Sequence, residues 1–512
     1  MELSLLLTPD AEDKTPLHRQ IYQQIRDAIL VGKLGANTRL PASRQLAKTL
    51  SVSRTTVVQS YDQLISEGYL QTKPGAGTFV CDQLPEHLLL TQLPTELPVA
   101  SQSEQTIPSG VPDRLSTYGI QLANTSDRVF TTDCPLSFRY GIPDLSQFPI
   151  QQWRRLLNRH TTASTDWMDY GSDPMGHQAL RQEIAQYIRD VRAVRATPEQ
   201  ILITNGTQQA ISLMVQIVTD VGDAIALENP GYLSARNIFS AHKAKIIPIA
   251  IDSEGIRISE SGGLIEATAN LNRPPKLIYV TPSHQFPTGV LMSLSRRLAL
   301  LRWANEHNAL IIEDDYDSEY RYSGRPIPAL QGLDEHNRVI YTGTFSKVMF
   351  PGLRLGYAVI PLPLVAVFRR AKWLCDRQCS LIDQAALADF IQSGLLAAHI
   401  RRMRLIYERR RRSLVEKLQQ AAPEVIIPGD ASGLHILAKL RTRKGDRQLI
   451  DRAKAKGVSL FSIQAHYWPQ KGDRQAELTA DLFENELIFG FGGISQTQIE
   501  RAIAHIQPLI QT

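Results

Sequence analysis

The chain has 512 residues, which is too long for one ordinary domain and predicts two to four. Hydrophobic residues make up 43% and charged residues 21%, a profile that is typical of a soluble globular protein and argues against a disordered chain. The net charge of +5 is small for this length, so the total charge says little about binding partners.

Cysteine usage and the first residues narrow the setting. The four cysteines are sparse and lack the spacing of metal ligands, so we expect reduced thiols, no metal site and a cytoplasmic protein. Residues 1–14 lack the basic-then-apolar pattern of a signal peptide, and no apolar run is long enough to span a bilayer. We therefore expect no membrane association.

Residues 1–81 are expected to form a small module of three helices and a hairpin. Positive charge is concentrated here, because residues 16–80 contain eight Lys/Arg and three Asp/Glu. Apolar residues at helical spacing predict a first helix that ends near Gly32, a second capped by Ser43 and a third capped by Ser53. Two short strand-like runs follow, separated by the glycine-rich residues 73–77.

Such a module can bind DNA or a second subunit. In a helix-turn-helix, the first turn of the second helix enters the major groove. Arg54 can form paired hydrogen bonds with a guanine edge, and Thr55 and Thr56 can hold phosphate at the helix N-terminus. The basic first turn and the glycine-rich hairpin favour DNA. The predicted DNA contacts are Arg44, Ser53, Arg54, Thr55, Thr56 and Gly75.

Three motifs in this module are specific. Residues 40–44 (LPASR), 53–56 (SRTT) and 75–80 (GAGTFV) resemble the winged helix-turn-helix of the GntR family of transcription regulators. The resemblance implies that the module binds a double-stranded DNA operator.

Beyond the module, two textures follow. Residues 82–130 are rich in Pro, Ser, Thr and Gln and cannot bury much apolar surface, which predicts a long linker. In residues 131–512, strand-like apolar runs alternate with helical patterns, and this predicts an α/β domain with a mainly parallel sheet. The clearest strand-like runs are residues 224–227, 277–281, 310–313 and 339–342, and an amphipathic stretch spans 294–307.

Polar residues follow several of these strands. Lys347 follows one strand, carboxylates at 313–315 end another, Tyr232 follows a third, and residues 206–208 precede a helix. At the carboxyl ends of strands in an open α/β sheet, such residues face the ligand crevice.

This set of residues fits the chemistry of pyridoxal phosphate (PLP). The Lys347 amine can form an imine with the cofactor aldehyde, and Arg354 and a helix N-terminus can hold the phosphate. An acid is needed beside the pyridine nitrogen, and spacing alone does not separate Asp314 from Asp315. The predicted cofactor-binding residues are Lys347, Asp314, Tyr316, Arg354, Thr344, Tyr232, Gly206, Thr207 and Gln208.

These residues resemble the fold-type I PLP enzymes of the aminotransferase class. Residues 281–289 (TPSHQFPTG) and 313–319 (EDDYDSE) are similar to the MocR subfamily of GntR regulators. The resemblance implies that Asp314 pairs with the pyridine nitrogen and that Tyr316 donates to the phenolic oxygen of the ring. It also implies a large part at about 170–380, a smaller C-terminal α/β part at about 390–512, and a head-to-tail homodimer.

Two departures bear on catalysis. Where aminotransferases have Asn beside Pro-Thr-Gly, this chain has Phe286, and where they hold the substrate carboxylate with an arginine, it has Ile488. Arg236 is a possible substitute, although an exposed helical arginine is the alternative interpretation. The basic stretch 401–412 has helical spacing and predicts a charged face.

The main hypothesis is a transcription regulator whose PLP on Lys347 senses an amine or amino-acid effector, or for which PLP itself is the signal. No catalytic residue is assigned. The first alternative is an active aminotransferase with an accessory DNA-binding module. The second is a plain regulator whose large domain is an empty dimerisation scaffold.

Overall fold

The computed structural model describes residues 7–10, 15–82, 84, 115–123, 134–163, 169–171, 173–259, 261–324, 327–429, 432–442, 445–468 and 483–511. The chain divides into two compact units, residues 1–107 and 108–512. In these described ranges, no helix is both long and apolar enough to cross a membrane.

The first unit has a core of its own, built on helices and a hairpin. Its helices are Leu17–Leu30, Ser43–Thr49 and Arg54–Ser66, and its strands are β1 (Leu70–Lys73) and β2 (Gly77–Val80). Apolar side chains from all of these elements form one buried cluster, which includes Ile21, Leu46, Val57 and Leu70. The predicted three helices and hairpin are therefore confirmed.

The caps of the two short helices differ from each other. The Ser53 side chain accepts a hydrogen bond from the Thr56 N–H at 3.1 Å, so the predicted N-cap of the third helix is confirmed. The predicted cap at Ser43 is wrong, because the helix begins at Ser43 itself, and Ala42 precedes it without a side-chain cap. The Tyr61 hydroxyl donates a hydrogen bond to the Pro41 carbonyl oxygen at 3.0 Å, which ties the third helix to the residues before the second.

The second unit alternates helices with strands. Its described α-helices are Thr117–Ala123, Ile150–Ala163, Gln178–Arg192, Thr207–Val218, Leu233–Ala241, Leu264–Thr268, Leu294–Glu306, Leu330–Leu333, Val365–Cys375, Leu381–Gln392, Leu395–Ala421, Asp446–Ala455 and Gln496–Ile510. Its described strands are β3 (Leu136–Ser137), β4 (Ile201–Thr204), β5 (Ala224–Asn229), β6 (Lys245–Asp252), β7 (Gly255–Ile256), β8 (Leu277–Val280), β9 (Leu310–Asp315), β10 (Val339–Thr344), β11 (Gly356–Val359), β12 (His435–Thr442), β13 (Val458–Ser459), β14 (Phe461–Ser462) and β15 (Phe483–Gly490).

The central sheet has eight strands in the order β4-β11-β10-β9-β8-β5-β6-β7. The five neighbouring strands from β10 to β6 are parallel, while β11 is antiparallel to both of its neighbours and β7 is antiparallel to β6. The prediction of a mainly parallel sheet is confirmed. Apolar side chains of its strands pack into buried clusters with the covering helices, which is the usual pattern for a buried parallel sheet.

A smaller sheet, β12-β15-β14, lies toward the C-terminus. A separate two-stranded sheet joins an earlier segment to this part of the chain, because β3 pairs in parallel with β13 through Leu136 and Val458. Residues 136–137 therefore extend the small part beyond the boundary expected from the sequence. The helix Thr117–Ala123 also lies inside the segment predicted to be a linker, and Tyr118 contacts the His242 ring at 5.1 Å.

Candidate functional site

A cavity of about 640 Å³ opens at the carboxyl ends of the central strands. Its walls come from the ends of β8, β9 and β10, from the start of the helix Thr207–Val218, and from residues of the small sheet. The predicted cofactor-binding residues that line it are Lys347, Asp314, Tyr316, Arg354, Thr344, Tyr232, Thr207 and Gln208. Gly206 adjoins the cavity as the residue before that helix.

Lys347 lies in the turn that follows β10. Its Nζ donates a hydrogen bond to the Gly141 carbonyl oxygen at 2.6 Å. Burial lowers the pKa of the Lys347 amine below its usual value. Gly141 has φ +74, and a Cβ there would lie 3.0 Å from Nζ, so glycine lets the backbone approach the amine. The lowered pKa of Lys347 favours the neutral amine, which is the form that can act as a nucleophile.

The two adjacent acids of β9 point to opposite sides of the sheet, as alternate strand residues do. Asp314 lines the cavity and accepts hydrogen bonds from Tyr279 Oη at 2.6 Å and Thr342 Oγ1 at 3.2 Å. Burial raises the pKa of Asp314 to about 6. Asp315 instead forms an ion pair with Arg192 at 2.7 Å and accepts from Tyr341 Oη at 2.8 Å. This geometry favours Asp314 over Asp315 as the acid of the cavity.

One end of the cavity is suited to an anion. Gly206, at φ +84, precedes the helix Thr207–Val218, whose first N–H groups have no partner within the helix. Arg354, itself at φ +53, donates from Nη2 to the Asn205 carbonyl oxygen at 2.7 Å. A Cβ at position 206 would lie 2.9 Å from that same Nη2 atom, so the glycine keeps the guanidinium against the helix N-terminus. This is the arrangement that binds phosphate groups.

Aromatic rings line the opposite wall. The Phe286 ring centroid lies 5.7 Å from that of Tyr232 and 6.0 Å from that of Tyr316. Phe286 therefore places an apolar ring at the position where the resemblance leads one to expect the amide of an asparagine. The Tyr316 hydroxyl lies 3.0 Å from His284 Nδ1.

Residues 488 and 236 are the two candidate positions for a cation that would bind a substrate carboxylate. Ile488 is fully buried and packs with Leu437 and Ile463 in the small sheet. Arg236 donates to the carbonyl oxygens of Tyr467 at 2.6 Å and Ala465 at 2.9 Å. The alternative interpretation of Arg236 as an exposed helical arginine is wrong, and its guanidinium joins two parts of the unit.

Several cavity residues escaped sequence analysis. Arg139, Tyr140 and Gly141 come from the loop after β3, and His435 and His466 come from the small part of the unit. None follows a strand of the central sheet, which was the signal used. The one available signal was the glycine in the Arg139–Gly141 segment, and it is too common to be decisive.

The predicted DNA contacts lie on one module of the first unit. Arg54, Thr55 and Thr56 form the first turn of the helix Arg54–Ser66. Gly75 is at the tip of the hairpin with φ +73, and no heavy atom lies within 4 Å of where its Cβ would be. The side chains of Arg44, Ser53, Arg54 and Thr55 are exposed, whereas Thr56 is half-buried.

Arg39 is an additional cation beside this hairpin. Its backbone forms an isolated antiparallel β-bridge with that of Phe79. A Cβ on Gly77 would lie 3.2 Å from the Arg39 Nε. Sequence analysis did not select Arg39 because it precedes the second helix and has no motif of its own.

The basic stretch 401–412 lies on the long helix Leu395–Ala421. Arg410 is buried and binds the Gly492 carbonyl oxygen at 2.7 Å and the Asp144 carboxylate. Arg404 donates to the Glu319 carbonyl oxygen at 2.8 Å. The predicted charged face is therefore only partly correct, since these two arginines hold the unit together.

The donor set of the cavity fits PLP. It offers one lysine amine, the buried carboxyl groups of Asp314 and Asp317, an aromatic ring for stacking, and a helix N-terminus with an arginine for a phosphate. Glycines at 141 and 206 leave room beside the amine and the arginine that a Cβ would fill. The class of ligand implied by the fold is therefore compatible with the residues present.

Comparison with known proteins agrees with both units. Residues 17–80 match the family model "Bacterial regulatory proteins, gntR family", and residues 138–462 match "Aminotransferase class I and II". The chain is 38% identical over 473 residues to the probable rhizopine catabolism regulatory protein MocR of Rhizobium meliloti, covering 91% of each. This chain is a GntR-family transcription regulator of the MocR type.

Two further proteins that this MocR-type regulator resembles are a transcription regulator and an enzyme. It is 31% identical over 99% of both chains to the pyridoxine biosynthesis regulator PdxR of Corynebacterium glutamicum. Its fold matches the kynurenine aminotransferase of Pyrococcus horikoshii with a TM-score of 0.69 and 27% identity, covering 79% of this chain and 98% of the other. The second unit is therefore a fold-type I aminotransferase domain attached to a DNA-binding module.

Proposed function

We propose that this regulator binds PLP in the cavity of its second unit, with Lys347 as the point of attachment, and binds operator DNA through its first unit. The observation that carries the proposal is the convergence of Lys347, Asp314 and the Gly206–Thr207 turn on one cavity. These residues come from three separate segments of the chain: the end of β9, the turn after β10 and the start of the helix Thr207–Val218.

The residues would divide the work as follows. The amine of Lys347 would hold the cofactor, Asp314 would face the pyridine nitrogen, and Tyr232 would stack on the ring. The N-terminus of the helix Thr207–Val218 would hold the phosphate with Gln208, Arg354 and Thr344. When bound, PLP supplies an aldehyde that reacts with amines and a ring that acts as an electron sink.

Sensing is favoured over turnover. An amino-acid substrate needs a bidentate cation for its carboxylate, and the family position for this cation is the buried Ile488. The ring oxygen also lacks an amide partner at Phe286. An effector amine that exchanges with Lys347, or PLP itself, would then bias the conformation of the regulator instead of being converted in many cycles.

The reader of DNA would be the helix Arg54–Ser66. Arg54 would contact a base edge, and Arg44, Ser53, Thr55, Thr56 and Gly75 would contact the backbone. A head-to-tail homodimer would carry two such readers, so affinity for a two-part operator would depend on their spacing.

The cofactor proposal is tested with Lys347→Ala. Purified protein incubated with PLP should gain a visible absorption band that survives removal of free PLP, and Lys347→Ala should lose it because no other lysine among the described residues lines the cavity. Lys276→Ala, a surface lysine paired with Asp223, is the matched control. A band of equal strength in Lys347→Ala would contradict the proposal, and a colourless wild type that binds its operator would favour the empty scaffold.

The DNA proposal is tested with Arg54→Ala. Loss of a bidentate guanine contact should weaken operator binding by roughly 10- to 100-fold and relax the base preference at one position. Arg19→Ala, an exposed arginine on the first helix, is the control. Unchanged affinity and preference in Arg54→Ala would rule out this docking. Multiple-turnover transfer of an amino group to a keto acid would instead support the aminotransferase alternative.

A further inference from the structure

A buried polar cluster beside the cavity is not used by the proposed function. It consists of His284, Asp317 and His435, which are 2%, 1% and 1% exposed. His284 Nδ1 lies 3.0 and 3.1 Å from the two carboxylate oxygens of Asp317 and 3.0 Å from the Tyr316 hydroxyl. Buried polar groups at such distances are paired in a definite way, because an unmatched pair is costly.

The direction of these hydrogen bonds follows from the donors and acceptors. A carboxylate only accepts, and Asp317 already accepts the Leu434 N–H at 3.1 Å. His284 Nδ1 must therefore carry the hydrogen that faces Asp317. The Tyr316 oxygen at the same nitrogen is then also an acceptor, so the Tyr316 hydroxyl hydrogen is left to point elsewhere.

His284 has no competing arrangement among the described residues. Its Nε2 atom is buried without a hydrogen-bond partner, as expected for the nitrogen that carries no hydrogen. Gly433 and Gly289 let the backbone approach the ring. A Cβ on Gly433 would lie 2.0 Å from Cε1, and a Cβ on Gly289 would lie 3.1 Å from Nε2. The ring therefore packs closely against the backbone at both glycines.

We propose that His284 and Asp317 are positioning residues that direct the Tyr316 hydroxyl hydrogen into the cavity. This inference rests on the proposed function, because the acceptor in the cavity would be the phenolic oxygen of PLP. The pair would compensate for Phe286, which supplies no amide to that oxygen. Burial raises the pKa of Tyr316 well above its usual value, so the hydroxyl keeps the hydrogen it has to donate.

Other titratable groups face this pair. Asp314 and Lys347 share the cavity with Tyr316, and the His435 ring lies 4.8 Å from that of His284. Burial lowers the pKa of His435 well below its usual value, so it adds no positive charge there. The remaining groups that act on Tyr316 or His435 are Glu228, Asp315 and His466.

The test uses the full-length protein with bound PLP and the pH midpoint of its absorption change. A hydroxyl that donates to the phenolic oxygen stabilises negative charge there and lowers this midpoint. In Asp317→Asn the carboxylate that requires a hydrogen on Nδ1 is gone, so Nδ1 can lose that hydrogen and accept the one of the Tyr316 hydroxyl. The midpoint should then rise by about one pH unit, the size of one charge-assisted hydrogen bond.

Matched substitutions separate positioning from packing. His284→Asn keeps an N–H near the position of Nδ1 and should retain the wild-type midpoint. His284→Leu removes the N–H that orders the Tyr316 hydroxyl but offers no competing acceptor, so it should raise the midpoint by less than Asp317→Asn. In the Tyr316→Phe background neither change should shift the midpoint further, because both act through Tyr316. His399→Asn, another buried histidine outside the cavity, is the control.

Three outcomes would overturn the inference. His284→Asn could shift the midpoint as far as His284→Leu, or the shifts could persist without the Tyr316 hydroxyl. The nitrogen and oxygen atoms of His284, Asp317 and His435 also lie within 4.8 Å of one another, so a chelator that moves the wild-type midpoint would indicate a metal site instead. A wild type without the PLP band would contradict the proposed function, which is a separate result.

Discussion

Glu228 is a buried acid without a charged partner. It is 2% exposed, and its Oε2 accepts hydrogen bonds from the Thr281 N–H at 3.1 Å and Thr281 Oγ1 at 2.7 Å. Its Oε1 has no partner among the described residues. Burial raises the pKa of Glu228 to about 7, because the charged form loses its hydration. A proton is therefore taken up at this residue when the chain folds at mildly acidic pH.

This raised pKa predicts a pH-dependent stability. Between the unfolded pKa of roughly 4.3 and the folded value of about 7, the folded state binds more protons, so stability falls as pH rises through this window. Glu228→Gln removes this titration. The substitution should increase the free energy of unfolding at pH 8 by up to about 3 kcal/mol more than at pH 5, and the thermal unfolding midpoint should rise accordingly. Glu306→Gln on the surface is the control, and an equal gain at both pH values would refute the prediction.

The acids of β9 mark the limit of sequence analysis at the residue scale. The run at 313–315 predicts an acid at a strand end, because polar residues after an apolar run are visible in sequence. Which acid faces the ligand depends on the strand register and on Arg192, which is far away in the chain and pairs with Asp315. A contact between distant segments has no local signal.

At the scale of elements, the end of β15 supports the site from behind. Gly490 N–H donates to the Phe138 carbonyl oxygen at 2.9 Å, and the Phe138 and Phe489 rings are 5.0 Å apart. A Cβ on Gly490 would lie 2.2 Å from the Arg139 carbonyl oxygen. This close approach sets the course of residues 138–141, which end at the carbonyl group that binds Lys347.

Gly490→Ala should therefore disturb the cofactor as well as the fold. The added methyl must displace backbone, at a typical cost of about 1–3 kcal/mol, and should speed the loss of bound PLP by moving Gly141. Gly493→Ala is matched, because its Cβ would meet only Ile142 at 3.6 Å or more. Dissociation of PLP followed by absorption checks this, and equal rates in both variants would contradict the supporting role of β15.

The strands β5, β8, β9 and β10 were predictable because each contains a continuous apolar run that is visible in the local sequence, whereas β6, β7 and β11 were not selected. The small part was predicted only by position, and the contribution of β3 to it was missed. Two residues, Leu136 and Ser137, are too short a run to show a period, and their partner β13 is more than 300 residues away. Pairing of this kind is decided by packing and not by local sequence.

At the scale of the whole molecule, the cavity draws on residues from Arg139 to His466. The second unit should therefore keep its cavity when residues 1–133 are removed, but not when residues 134–149 are removed as well. A fragment of residues 134–512 should keep the PLP band, whereas one of residues 150–512 should lose it, because β3 and the Gly141 carbonyl group are gone. Equal bands in the two fragments would show that this segment is dispensable.

The cavity combines residues that are synthesised early with residues that are synthesised late, as the pairing of β3 with β13 also does, and this has a consequence for biosynthesis. The core of the first unit needs only residues up to about 84, so the DNA reader can fold early on the ribosome. The cavity is incomplete until His466 has been made, which at about 5–20 residues per second is roughly 20–80 s later. During that interval a nascent chain carries a folded helix-turn-helix module while the cavity of the second unit is still incomplete, and a chain released early would keep the module without the cavity.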